Sequence, residues 1–196
     1  MNPGKLRERA AVLRLAGEAD LRWEKRCGVW LSAKETGRKN LFSKVGIGAA
    51  GAEFLLRERG LTLHDAILWR EQHYFLTDIA REGAAPVYLR VQAARVTPVI
   101  ALHYRRRVAL GDLNRPEQTT EQLGSFPCCL TEKYLGSSDE NSHVESRARL
   151  VAVTPKAVRC IPGDLLEIDG EQYRVMVVHQ LEIYKNELEI ERTSDD

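Results

Sequence analysis

Apolar residues along this chain come in short runs of mostly four to seven, broken by glycine, proline or charged turns. The runs at 28–31, 52–57, 66–69, 73–79 and 87–93 are rich in aromatic and β-branched residues, which predicts strands. Segment 65–79 predicts a hairpin, two apolar strands about a polar turn at Arg70 to Gln72. Segment 164–178 predicts a second hairpin turning at Asp169 and Gly170, because glycine accepts the positive φ of a tight primed turn.

The two hairpins align without a gap at an offset of 99. Asp65 falls on Asp164, Ile67 on Leu166, Trp69 on Ile168, Tyr74 on Tyr173, Leu76 on Val175 and Ile79 on Val178. The same offset sets Phe54 on Val153, Leu89 on Leu188 and Val91 on Ile190. A repeat of that length exceeds a solenoid unit and fits a duplicated domain; chance likeness between two hairpins is the competing explanation. Gly111, Asn114 and Pro116 interrupt any regular element, and the boundary is drawn there. The expected fold is all-β, two tandem small β-barrel domains with long inserted loops, spanning 1–107 and 108–196.

Segments 36–51 and 132–146 lack a period and are expected to be those loops. In the first, Leu41, Phe42, Val45 and Ile47 stand among glycines and the basic Arg38, Lys39 and Lys44, which suggests a segment that orders against a partner; a solvated flexible loop is the alternative.

The 196 residues are 43% hydrophobic and 29% charged, the balance of a globular chain. No apolar run approaches the roughly 20 residues of a membrane helix. The N-terminal residues lack a signal-peptide core, so cytoplasmic synthesis is expected, with Cys27, Cys128, Cys129 and Cys160 reduced. Vicinal Cys128 and Cys129 read as strand residues, one inward and one outward. Neither cysteine nor histidine spacing follows a zinc pattern, so no metal and no cofactor is expected.

Net charge of +1 hides a division. Residues 1–107 hold 20 Lys/Arg and 11 Asp/Glu, whereas residues 108–196 hold 9 and 17. Either the halves face different surroundings or the basic half of one copy meets the acidic half of another; drift in two solvated surfaces is the alternative.

Catalytic motifs are missing. Gly46, Gly48 and Gly51 mimic a dinucleotide fingerprint but precede a strand rather than a helix. Ser32 and Ser43 lie in no nucleophile elbow, and His64, Asp65 and Glu58 read as solvated loop charges. No enzyme activity is expected. Nucleic-acid binding has some support in Arg22, Lys25, Arg26, Lys34, Arg38, Lys39 and Lys44 interleaved with Trp23 and Trp30. No RNA-binding signature accompanies them, and Trp30 is read as a core residue.

The opening segment 4–14, the strand of Trp30, a long glycine-bearing loop, the strand from Phe54 to Arg57 and the hairpin 66–79 follow one another over roughly residues 1–95. That succession resembles the head–tail joining (head-closure or adaptor) proteins of tailed bacteriophages. The resemblance implies a structural virion protein: a β-barrel that oligomerises into a neck ring, typically twelve-fold, between portal or adaptor proteins above and tail terminator or tail proteins below. Genomic DNA passes through the lumen without sequence-specific binding, no membrane is involved, and the docking or gating loop corresponds to 36–51. The second, acidic domain departs from the single-domain pattern and leaves stoichiometry and neck layer open. A lumen that gripped phosphates would stall the genome, so Glu182, Glu187, Glu189 and Glu191 are candidate lumen or ring contacts, with the wet face of an edge strand as the alternative.

Overall fold

The computed structural model describes residues 6–39, 49–82, 87–110, 116–133, 149–180 and 185–193. Every regular element among them is a strand. Two compact units form, and each is a closed six-stranded antiparallel barrel, as the tandem-barrel reading expects.

The first barrel is built from β1 (Glu8–Ala16), β2 (Arg22–Lys39), β3 (Ala49–Arg57), β4 (Asp65–Trp69), β5 (Gln72–Glu82) and β6 (Tyr88–Val96), in the order β1-β2-β3-β6-β5-β4 and closed by β4 on β1. Alternation places Val12, Val29, Leu31, Phe54, Leu56, Ile67, Leu76 and Val91 inside, all at 3% exposure or less. Phe54 lies edge-on to Trp69 and Tyr74, with centroids 5.6 and 5.2 Å away, the T-shaped geometry that aromatic quadrupoles favour.

The second barrel uses β7 (Val99–Leu110), β8 (Pro116–Lys133), β9 (Arg149–Pro155), β10 (Leu165–Ile168), β11 (Glu171–His179) and β12 (Lys185–Arg192), ordered β7-β8-β9-β12-β11-β10 and closed by β10 on β7. The topology is that of the first barrel, and the irregularities also match. Register shifts at Val12/Leu13 in β1 and at Leu76/Asp78 in β5 recur at His103/Tyr104 in β7 and at Val175/Val177 in β11. Bulges re-aim side chains at fixed points, so their recurrence makes the barrels equivalent residue by residue. Val12 faces Ile67 as His103 faces Leu166.

Equivalence corrects one part of the offset. Val91 faces Ile79 as Leu188 faces Val178, so Val91 corresponds to Leu188 rather than Ile190, and Leu89 no longer falls on Leu188. Phe54 faces Val91 and Ala33 as Ala152 faces Leu188 and Leu130, so Phe54 corresponds to Ala152 and not to Val153, which pairs with Glu187 on the other face.

The boundary moves too. It lies between Pro98 and Val99, and Gly17–Leu21 also belongs to the second unit. Gly111 and Asn114 lie outside the described residues, and Pro116 opens β8, which pairs with β7 inside one barrel. Gly124 shows why the 17–21 segment fits there: its φ is +141°, and a Cβ would sit 2.0 Å from the Ala19 carbonyl oxygen, while Ser125 donates its amide to that same oxygen. The predicted loops prove shorter at their described ends, since β2 runs to Lys39, β3 begins at Ala49 and β8 reaches Lys133.

Both hairpin turns have two central residues with positive φ, Arg70 (50°) and Glu71 (62°) in the first, Asp169 (53°) and Gly170 (80°) in the second. That is the primed turn whose twist matches paired strands. Glu71 bears a left-handed penalty of about 1 kcal/mol that glycine escapes, and Arg70 gains the Trp69 ring 4.4 Å away in return. Glu71→Gly is expected to raise stability by roughly 0.5 kcal/mol, read as a small upward shift in a denaturant midpoint; a loss would show that the Glu71 side chain matters more than its backbone.

Candidate functional site

The equivalence of the barrels centres on one carboxylate in each. The chain turns into β4 with the Asp65 amide donating to the Thr62 carbonyl at 3.0 Å, which points the Asp65 side chain back to accept from the Thr62 amide at 2.8 Å. From β1, Arg14 donates through Nε (2.7 Å) and Nη2 (3.0 Å) to the two carboxylate oxygens. Asp65 is 1% exposed, so it is an internal tie and not the solvated loop charge expected of it. His64 beside it is exposed, and Glu58 pairs with Arg81 at 3.2 Å.

The second barrel repeats this tie. The Asp164 amide donates to the Ile161 carbonyl at 3.2 Å, the Ile161 amide donates to Asp164 at 2.9 Å, and Arg105 donates at 2.7 and 2.9 Å. In both barrels the bond joins the first strand to the fourth, the seam at which the cylinder closes. Burial alone pushes both carboxyls up, but the guanidinium, the backbone amide and, for Asp164, His103 outweigh it and hold each below its ordinary range.

What surrounds the tie differs. Val12 and Leu61 in the first barrel are replaced by His103 and Cys160 in the second, the latter pair 7% and 3% exposed. His103 Nε2 lies 2.8 Å from Asp164 Oδ2 and its ring stands edge-on to Phe126 at 5.7 Å. One ligand-type atom from each of His103, Cys160 and Asp164 lies within 4.8 Å of the others. Burial pushes the Cys160 thiol up to about 12, so the protein alone offers no thiolate nucleophile there at neutral pH. Cys128 is buried and Cys129 half-buried.

The first barrel has an addition of its own. Val29 and Leu31 turn inward, so Trp30 turns outward and is 53% exposed, a correction to its reading as core. Arg9 caps its ring at 5.4 Å. The equivalent pair in the second barrel is Ile100 opposite Pro127, without charge or ring. Behind β4, Trp23, His73 and Phe75 stack at 5.2 to 5.8 Å; burial holds His73 down at about 4, neutral near pH 7.

Of the candidates taken from sequence, Leu41, Phe42, Lys44, Val45, Ile47 and Glu182 lie outside the described residues, and Arg38 and Lys39 end β2 with only their backbone described. Glu187 and Glu189 are 3% and 5% exposed; Glu187 pairs with Lys185, and Glu189 meets His179 at 3.0 Å. β12 is flanked by β11 and β9, so it is no edge strand, and of these glutamates only Glu191 is exposed. Sequence reasoning missed Arg14, Arg105, His103 and Cys160. The signal was there at another spacing: Arg14 and Arg105 stand 91 apart, whereas their aspartates stand 99 apart.

Two tandem closed β-barrels of one topology, each tied at its seam by an arginine on a buried aspartate, define the class of this protein. Compared with known proteins, the chain matches no family model, no curated protein and no solved structure.

Proposed function

We propose that this protein is a structural assembly component, a ring-forming joining protein of the neck of a tailed bacteriophage, and not an enzyme. The observation that carries this reading is the opposite charge of two equivalent barrels. The unit of residues 1–16 and 22–98 holds 17 Lys/Arg against 9 Asp/Glu, and the other unit holds 12 against 19. The division expected from sequence therefore survives the moved boundary. Two copies of one fold with opposite fields are self-complementary head to tail: the basic barrel of one chain attracts the acidic barrel of the next, while like barrels repel. Heterologous contacts of that kind close into rings when the rotation per subunit allows. Portal or adaptor proteins above, tail proteins below and DNA in the lumen are the partners this role entails, and loop 36–51 is the segment assigned to docking.

Sedimentation velocity tests the contact. At low ionic strength the sedimentation coefficient is expected to rise with protein concentration, and about 0.5 M salt, where the screening length drops below about 5 Å, is expected to abolish the rise. Association indifferent to salt rules out charge as the steering force.

Exposed Trp30 with Arg9 over its ring favours a second reading, a nucleic-acid-binding barrel, because such a pair is a stacking platform for a base. Fluorescence anisotropy with labelled single-stranded DNA separates the two. Tight, salt-sensitive binding lost in Trp30→Ala supports the platform; absence of binding leaves the face to protein contact.

A further inference from the structure

We propose that the second barrel holds one divalent transition-metal ion, of the zinc type, between His103, Cys160 and Asp164. These residues come from β7, from the loop before β10 and from the residue that opens β10. All three are buried, with donor atoms already within 4.8 Å of one another. Imidazole, thiolate and carboxylate are the ligands Zn(II) takes, at about 2.0 to 2.3 Å and tetrahedrally, with water able to fill the fourth position. Tetrahedral bonds of that length hold their donor atoms roughly 3.3 to 3.7 Å apart. The 2.8 Å contact between His103 Nε2 and Asp164 Oδ2 therefore opens slightly, and Cys160 Sγ draws in.

The first barrel supplies the comparison that gives the cluster meaning. It has the same Arg–Asp tie and the same amide donor, with Val12 and Leu61 at the positions of His103 and Cys160. The tie thus stands without imidazole or thiol. In the second barrel two ligand-bearing side chains occur together in an interior where apolar residues serve the other copy, around a carboxylate that Arg105 already orients. Arg105 Nε stays on Oδ1, the outer hydrogen bond that commonly fixes a ligating carboxylate, while Arg105 Nη2 and the Ile161 amide, each 2.9 Å from Oδ2, give way on that oxygen to the metal. On binding, the S–H bond of Cys160 breaks and its proton passes to solvent, the imidazole hydrogen facing Asp164 leaves Nε2 as the ring carries its hydrogen on Nδ1 instead, and the sulfur and Nε2 lone pairs form the bonds to the metal. Because binding displaces the thiol proton, affinity falls as pH is lowered.

The test uses the full chain, reduced with a phosphine, stripped with chelator and titrated with Co(II). One equivalent is expected to bind with a thiolate-to-cobalt charge-transfer band and tetrahedral visible absorption. Zn(II) is expected to bleach both and to raise the thermal midpoint by several degrees. C160S removes the band. The double variant H103V/C160L, which installs the residues of the first barrel, removes it as well and retains the strand signature in circular dichroism, so loss of the site is read on a folded protein. Absence of a thiolate band at one equivalent together with a midpoint unmoved by Zn(II), or a band that survives in C160S, overturns the proposal and leaves the cluster a hydrogen-bonded tie.

Discussion

Asp164→Asn is expected to cost the second barrel about 3 kcal/mol, because the buried carboxylate serves four donors that an amide cannot all satisfy. Asp164 is 1% exposed and its two oxygens receive Arg105 twice, the Ile161 amide and His103. An amide offers one acceptor oxygen and turns two donors toward groups that are themselves donors. For a domain near 100 residues the loss corresponds to roughly 10 to 20 °C in a calorimetric transition. Asp65→Asn acts in the same direction on the first barrel. Because both carboxyls titrate below their unfolded values, the stability they supply is complete above the unfolded pKa near 4 and disappears as pH falls through the folded one. Acid denaturation monitored by near-ultraviolet circular dichroism is expected to begin at higher pH in either Asp→Asn variant than in the wild type. A change below about 1 kcal/mol would mark the ties as ordinary surface pairs.

Phe54→Ala is expected to cost about 4 kcal/mol, the largest effect of any single truncation proposed for the chain. Phe54 is fully buried, and its edge contacts with Trp69 and Tyr74 cannot be replaced, since the strands around them are fixed by the closed ladder. The equivalent position in the second barrel is the buried Ala152, so that barrel has no aromatic side chain to lose there. Urea denaturation measures the cost; a loss below about 2 kcal/mol would contradict a fully packed Phe54.

The strands legible in the sequence are those whose aromatic and β-branched residues declare them, and the two hairpins stand in the structure in the register their alignment gives. β1 was silent because Glu8 to Ala16 is mostly Ala, Leu, Arg and Glu, good helix formers; it is a strand because β2 and β4 hydrogen-bond it on both sides. The domain boundary was hidden for a similar reason: only Thr97 and Pro98 separate β6 from β7, too short an interval for a shift in composition. Trp30 misled because a bulky aromatic in a strand suggests a core, and only the neighbours Val29 and Leu31 reveal which face is inside. Glu187 and Glu189 misled in the opposite sense, since alternating glutamates suggest water until a partner strand lies on each side. The seam ties needed three dimensions, as each joins residues 51 or 59 positions apart.

Cryo-electron microscopy of tailed-phage virions produced with this chain present tests the proposed role most directly. A symmetric neck ring of this chain is expected, with the basic barrel of each copy against the acidic barrel of the next and the 36–51 segment on an adjoining layer. Particles whose neck is complete without this chain would contradict it.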